Sequence, residues 1–251
     1  MYRFLTIILG LIVISVQAKE TGKHLFILSG QSNMTGVLNK AFTAKAEEQF
    51  GAENVIVVQS SRSGRGIRFW VKDYQYADGV ELSSKKNSCN GEEYPRLIKA
   101  AQDGLNQHKY ESVSFVWMQG ESDANSTNKL SKVYAVNFNK LYKKLKTDLK
   151  LEKLYFVIGR ISNYGLLKTT KNYSLERAQR WTEVRTAQVQ VAQNHSHGDW
   201  IDTDDLIDDT NIHYNKTKQV TLGERFATKV IALIQNGSID IIKLEKGDKA
   251  K

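Results

Sequence analysis

The alternation of short apolar runs with longer amphipathic segments constrains this sequence more than any other feature. Five runs are suited to β-strands, and between them lie segments in which apolar residues recur at helical spacing. The predicted strands are His24–Leu28, Asn54–Gln59, Ser112–Met118, Leu154–Ile158 and Trp200–Asp202. Apolar strands that alternate with helices are typical of a parallel sheet covered by helices on both faces. The sequence therefore predicts an α/β protein, a three-layer sandwich with a central, mostly parallel five-stranded sheet.

Helices are predicted along the same chain at about Tyr94–His108, Lys129–Leu149, Leu175–Asn194 and Thr217–Gln235. In the last of them the apolar residues from Val220 to Leu233 recur at a spacing of about 3.6 residues, which is the helical period. No internal repeat and no Pro/Ser-rich linker divides the sequence. We therefore expect a single domain over residues 19–236, followed by a basic C-terminal tail at residues 237–251.

Residues 1–18 have the pattern of a signal peptide. Arg3 provides the positive start, Phe4–Val16 is almost wholly apolar, and Val16-Gln17-Ala18 fits a cleavage site. The alternative is an N-terminal anchor that is retained. No later stretch approaches the roughly 20 apolar residues that a membrane-spanning helix needs. We therefore expect an exported protein, secreted or periplasmic, with no stable membrane insertion after signal cleavage.

Composition excludes several classes of site. The one cysteine, Cys89, excludes an internal disulfide and a thiolate metal cluster. The His195-x-His197 pair lacks an acidic or thiolate partner at metal-site spacing, so neither a metal nor another cofactor is expected. The formal charge is +9, but the lysines are scattered rather than interleaved with aromatic residues. We expect no nucleic-acid partner, and weak attraction to acidic glycans remains an alternative.

Polar clusters follow four of the predicted strands: Ser29–Asn33, Ser60–Trp70, Gln119–Asp123 and Asp204–His213. The carboxyl ends of parallel strands meet at one edge of a sheet, and ligands bind there. We therefore expect the four clusters to converge on one site.

The residue types in these clusters favour nucleophilic chemistry. A serine such as Ser32 needs a base, and His213 is the histidine that follows an acid-rich loop, where a carboxylate could orient its ring. The alternative is that the acidic residues cap the following helix and the histidine is incidental. The Gln119 amide could donate to an oxyanion. Glu121 and Asp123 are only two residues apart, which gives no reason to expect them to flank a glycosidic bond, and we favour a structural role for both.

Three blocks of the sequence occur in a characteristic order: Gly30-Gln31-Ser32-Asn33-Met34, Trp117-Met118-Gln119-Gly120-Glu121-Ser122-Asp123 and Ile212-His213-Tyr214. With them the chain resembles the SGNH hydrolase superfamily, and most closely its sialate O-acetylesterase-like carbohydrate esterases, whose blocks read GQSN and WxQGExD. Ser63–Trp70 and Leu222–Ala227 are similar to further blocks of that family. The resemblance implies the flavodoxin-like SGNH hydrolase fold and a serine esterase that removes O-acetyl groups from a carbohydrate.

The same resemblance implies a role for each matching residue. Ser32 would be the nucleophile and His213 the general base. The backbone N–H groups of Ser32 and Gly64, with the side chain of Gln119, would form the oxyanion hole.

The third member of the implied triad is less regular. In the family pattern an aspartate lies three residues before the histidine, and this chain has Thr210 there. Asp209 is the predicted replacement, and Asp208 and Asp205 of the same loop are alternatives. Another possibility is a Ser–His dyad, with a backbone carbonyl that orients the imidazole.

Two rival functions remain open from the sequence. A lipase or general carboxylesterase on the same fold would need an apolar acyl channel, whereas the loops at 60–91 and 159–174 are polar and aromatic. A catalytically inactive glycan-binding relative would fit the departure at Thr210. The aromatic residues that could stack on sugar rings, or simply pack, are Trp70, Tyr74, Tyr76, Tyr164 and Tyr173. The expected partner is an acetylated carbohydrate, and the oligomeric state is not predicted.

Overall fold

Five parallel strands form the centre of the protein. The computed structural model describes residues 22–80, 89–105, 109–207 and 210–247 of the chain. The strands are β1 (Lys23–Gly30), β2 (Val55–Ser61), β3 (Tyr110–Met118), β4 (Tyr155–Gly159) and β5 (Gly198–Ile201). They pair in the order β2-β1-β3-β4-β5, and every pairing is parallel. This confirms the predicted α/β fold with a five-stranded sheet.

Helices cover both faces of the sheet. They are α1 (Gly36–Phe50), α2 (Tyr94–Leu105), α3 (Glu121–Asn125), α4 (Tyr134–Asp148), α5 (Leu175–Gln193) and α6 (Lys216–Gly247). Alternate residues of β1 divide between two hydrophobic cores, because side chains of a strand point to opposite faces. Leu25 and Ile27 pack with residues of α2, α4 and α5, whereas Phe26 and Leu28 pack with residues of α1 and α6. The molecule therefore has the three layers that the sequence predicts.

The predicted elements differ from the observed ones mainly at helices. Helix α1 was not predicted, and the predicted helix at 129–149 is a short 3₁₀ turn, Leu130–Val133, followed by α4. Helix α6 continues to Gly247 and so enters the segment expected to be a tail. The predicted signal peptide at 1–18 lies outside the described residues. Among the helices that the structure describes, none is long and apolar enough to cross a membrane.

A close approach between β1 and β3 starts the loop that carries Ser32. Gly30 has a φ of 141°, and a Cβ atom there would lie 2.0 Å from the carbonyl oxygen of Met118. The next residue, Gln31, donates its backbone N–H to that same oxygen at 2.8 Å. Only glycine fits this backbone contact, which brings the end of β1 beside the end of β3.

Candidate active site

Ser32 and His213 are in direct contact at the carboxyl edge of the sheet. Ser32 Oγ lies 2.9 Å from His213 Nε2, although the two residues are 181 positions apart in the sequence. Ser32 is half-buried in the turn after β1, and His213 is exposed in the loop between β5 and α6. A neutral imidazole at this distance can accept the serine proton. The structure thus brings together the two residues predicted as nucleophile and base.

The side chain of Asn33 lies between the serine loop and the histidine loop. Its Nδ2 donates to the carbonyl oxygen of Ile212 at 3.2 Å and to Glu121 Oε1 at 2.8 Å. Its Oδ1 accepts the backbone N–H of Tyr214 at 3.2 Å. No role was predicted for Asn33 from the sequence, although its place beside Ser32 in the GQSN block is a signal that could have identified it.

The buried carboxylates of Glu121 and Asp123 accept hydrogen bonds from residues of the loops that form the site. Both belong to α3, which starts at the end of β3, and both are buried. Asp123 Oδ2 accepts the backbone N–H of Ile67 at 2.9 Å and an amide hydrogen of Gln119 at 2.6 Å. Burial raises the pKa of Glu121 above its usual value and raises the pKa of Asp123 to about 6. Their contacts agree with the structural role predicted for them.

Gln119 is buried directly after β3, and its amide is bonded to protein acceptors. Besides Asp123, Nε2 contacts Gln31 Oε1 and the carbonyl oxygen of Arg65, each at 3.1 Å. Oε1 of Gln119 has no hydrogen-bond partner among the described residues. For Gln119 to donate to an oxyanion, a substrate oxygen would have to replace one of the two longer contacts. The oxyanion role of Gln119 stays a prediction.

The loop after β2 places Gly64 in an exposed turn. Gly64 has a φ of 70°, in the left-handed region that favours glycine, and a Cβ atom there would have no heavy atom within 4 Å. The backbone N–H of Arg62 donates to the carbonyl oxygen of Gly30 at 2.9 Å, so this loop is tied to the start of the serine loop. The role of the Gly64 N–H in an oxyanion hole also stays a prediction.

The predicted acid of the triad, Asp209, and its alternative Asp208 lie outside the described residues. Asp205, the other alternative, forms an ion pair with Arg225 of α6. Asp204, at the start of the same acidic cluster, is paired with Arg160 and Arg185. In the described part of this loop, no carboxylate is bonded to His213.

The alternative of an acidic helix cap is wrong for the described acids. Asn215 caps α6, because its Oδ1 accepts the backbone N–H of Lys218 at 3.0 Å. Asp204 and Asp205 are instead engaged by arginines.

Most of the aromatic residues considered for sugar stacking pack inside the protein. Trp70, Tyr74 and Tyr164 are buried, and Trp70 lies edge-on against Trp117 with ring centroids 5.1 Å apart. The packing interpretation is therefore correct for these three. Within the described ranges, no cluster of three or more His, Cys, Asp or Glu side chains is arranged to hold a metal ion.

Comparison with solved structures supports the fold. A protein from Arabidopsis thaliana has a TM-score of 0.62 at 18% identity, and the match covers 84% of this chain and 98% of that one. A carbohydrate acetylesterase from Xanthomonas citri has a TM-score of 0.59 at 16% identity, covering 82% of this chain and 55% of that one. The aryl esterase of M. smegmatis has a TM-score of 0.54 at 14% identity, covering 84% and 100%. At such identities the likeness concerns the fold, and it agrees with the predicted SGNH hydrolase architecture.

Comparison at the level of sequence identifies the family. No curated protein matches the chain significantly. The family model described as carbohydrate esterase, sialic acid-specific acetylesterase matches residues 38–232, a segment that contains Gly64, Gln119 and His213 and begins shortly after Ser32. Because this match covers most of the sequence, the chain belongs to the carbohydrate esterase family of sialic acid-specific acetylesterases.

Proposed function

We propose that this protein is a serine esterase that removes O-acetyl groups from a carbohydrate, with Ser32 as nucleophile and His213 as general base. The observation that carries the proposal is the 2.9 Å contact between Ser32 Oγ and His213 Nε2. A contact of this kind activates a hydroxyl that is otherwise a weak nucleophile. The membership of the chain in a carbohydrate esterase family supports an acetylated sugar as the substrate.

The reaction would proceed in two acyl transfers. Ser32 Oγ attacks the acetyl carbonyl carbon while its proton passes to His213 Nε2. The C–O bond to the sugar then breaks, and the sugar oxygen takes that proton from His213. Water attacks the acetyl-Ser32 ester, its proton passes to Nε2, and Ser32 Oγ recovers the proton as acetate leaves. No metal or redox cofactor takes part in these steps.

The negative charge of each tetrahedral intermediate would be held by N–H donors at the carboxyl edge of the sheet. We assign these donors to the backbone of Ser32 and Gly64 and to the side chain of Gln119. A donor of this kind contributes roughly 3–4 kcal/mol to transition-state stabilisation. The exposure of His213 supports a bulky alcohol such as a sugar, because the leaving oxygen must reach Nε2 from solvent.

The third group of the site is assigned to Asp209, which would orient the imidazole of His213 by accepting from its Nδ1 and lies four residues upstream in the sequence. The same proposal puts the enzyme outside the cytoplasm, secreted or periplasmic, because residues 1–18 have the pattern of a signal peptide.

The test is acetate release from acetylated oligosaccharides, including acetylated sialic acid and acetylated xylan fragments, by the purified protein and two serine variants. Ser32→Ala should abolish hydrolysis while circular dichroism and the melting temperature stay near wild type. Ser196→Ala is the matched control, because Ser196 Oγ also contacts a histidine, His197 Nδ1 at 3.3 Å, in the turn before β5. That variant should keep full activity.

Three results would contradict the proposal. Substantial activity of Ser32→Ala would show that Ser32 is an ordinary loop residue. Hydrolysis of p-nitrophenyl palmitate but of no acetylated sugar would point instead to a lipase on the same fold. An inactive wild-type protein that binds glycans would identify a binding relative without catalysis.

A further inference from the structure

We propose that Asn33 and Glu121 are positioning residues that hold His213 against Ser32, with Glu121 fixing the Asn33 amide and Asn33 fixing the backbone on both sides of the histidine. This inference rests on the proposed function, because it concerns the same serine and histidine. It assigns a role to two buried polar side chains that make no direct contact with the 2.9 Å Ser32–His213 pair in the described structure.

The Asn33 side chain bonds the residues that directly precede and follow His213. Nδ2 donates to the carbonyl oxygen of Ile212, and Oδ1 accepts the N–H of Tyr214, each at 3.2 Å. Asn33 is itself the neighbour of Ser32 and is 1% exposed. The exposed imidazole of His213 is therefore held near Ser32 by a buried amide on the serine loop.

Glu121 contributes to the orientation of the Asn33 side-chain amide. Its Oε1 accepts from Asn33 Nδ2 at 2.8 Å. If the amide were reversed, Asn33 Oδ1 would face the carboxyl oxygen, and Nδ2 would face the N–H of Tyr214. Both contacts would then be repulsive, so the buried acceptor of Glu121 reinforces the orientation that the Ile212 carbonyl and the Tyr214 N–H also require.

The burial of the Glu121 side chain has a cost in folding stability. The side chain is 2% exposed, and its Oε2 has no hydrogen-bond partner among the residues that the structure describes. Burial also raises the pKa of Glu121, which the hydrogen bond from Asn33 partly counteracts. Burying a carboxyl group with an unsatisfied oxygen lowers stability. A buried polar group left unsatisfied calls for an explanation, and the hydrogen bond that Glu121 accepts from the amide that holds the histidine loop supplies one.

The test compares Asn33→Ala with Asn137→Ala as a matched control. Asn137 is also a buried asparagine, and its side chain bonds the backbone of a loop. Its Oδ1 accepts the N–H of Gln75 and its Nδ2 donates to the carbonyl oxygen of Gln75, each at 2.9 Å. Both variants should lose some thermal stability. Only Asn33→Ala should lower kcat, by about 100-fold with KM nearly unchanged, because a misplacement of about 1 Å in a catalytic group has an effect of that size.

The His213→Ala background shows whether the loss of kcat acts through the histidine. In this background Asn33→Ala should cause no further loss of residual activity, since there is no imidazole left to position. A further loss as large as in the wild type would overturn the proposal. So would an Asn33→Ala enzyme with the same kcat as Asn137→Ala.

Glu121 provides a second pair of variants, which also covers the case in which Asn33→Ala does not fold. Glu121→Met removes the acceptor at similar volume and should lower kcat, and it should not add to the effect of Asn33→Ala. Glu121→Gln keeps a carbonyl acceptor and should remain within about threefold of wild type. Wild-type kcat in Glu121→Met would overturn the proposal, and so would an equal loss in both variants, because Glu121→Gln keeps the acceptor for Asn33. If Ser32→Ala is inactive while these variants are unaffected, only this inference fails and the proposed function stands.

Discussion

Both carboxylate oxygens of Asp205 are bonded by the guanidinium of Arg225, at 2.7 and 2.6 Å. This hydrogen bonding, with the charge of Arg225, holds the pKa of Asp205 below its usual value. Asp205 thereby joins the loop after β5 to helix α6. A carboxylate engaged in this way is not available to orient the ring of His213, which leaves Asp208 and Asp209 as the candidates for a triad acid.

We expect Asp209→Asn to lower kcat by orders of magnitude, because an amide in place of the carboxylate favours the wrong imidazole tautomer. Asp205→Asn and Asp208→Asn should stay near the wild-type kcat. The measurement is steady-state hydrolysis of p-nitrophenyl acetate by the three variants. If all three remain active while His213→Ala is inactive, the site is a Ser–His dyad and Thr210 marks the lost third member.

Gln119→Ala should lower kcat by about 100-fold or more with little change in KM, because an oxyanion donor acts mainly in the transition state. Steady-state kinetics on an acetylated substrate measure both constants. A change confined to KM would make Gln119 a substrate-binding group, and an unchanged kcat would show that its amide stays on Asp123 throughout the reaction.

Asp123 should make the stability of the protein fall as the pH rises from about 4 to about 6. Burial raises its pKa from 3.8 to about 6, so in this window the unfolded chain has lost the proton that the folded protein still holds. The contribution of Asp123 to the free energy of unfolding is fully present below about pH 4 and is lost as the pH rises through 6, a change of about 3 kcal/mol at most. Urea unfolding at several pH values measures it.

Asp123→Asn cannot ionise and should have a flatter pH dependence of stability than wild type across that window. Parallel curves for Asp123→Asn and wild type would contradict the assignment.

Gly30→Ala should destabilise the fold by several kcal/mol, because its Cβ atom would meet the carbonyl oxygen of Met118 at 2.0 Å. Gly79→Ala is the control: its φ of 71° lies in the left-handed region, which alanine adopts at a modest cost, and a Cβ atom there has no heavy atom within 4 Å. It should lose only about 1–2 kcal/mol. Thermal unfolding distinguishes the two, and equal melting temperatures would show that the β1–β3 contact can relax.

The strands were predictable because burial on both faces leaves a continuous apolar run, as in Leu25–Leu28, where every residue is 0% exposed. Helix α1 was missed because only Leu38, Phe42 and Ala46 are buried along it, a stripe with little contrast to its polar neighbours. The strand ends placed Ser32 and His213 at one edge of the sheet but left an incidental histidine as an alternative, and it was the resemblance of the three sequence blocks to a family that implied the pairing.

Contacts to the backbone were beyond sequence reasoning. The bonds from Asn33 to the main chain at Ile212 and Tyr214 depend on loop shape, and any residue types at those two positions would offer the same N–H and carbonyl groups. The engagement of Gln119 by Asp123 likewise depends on the short helix α3, which places their side chains together.

The separation of 181 positions between Ser32 and His213 also sets the order in which the site is made. A ribosome would complete Ser32 and all five strands of the described sheet before it adds His213. Helix α6 follows His213 and packs against α1, where the absence of a side chain on Gly223 admits the backbone of Leu38. Under the proposed mechanism, a nascent or clipped chain that ends before residue 213 would keep the serine but lack the histidine that accepts its proton, and esterase activity would begin only with the last part of the fold.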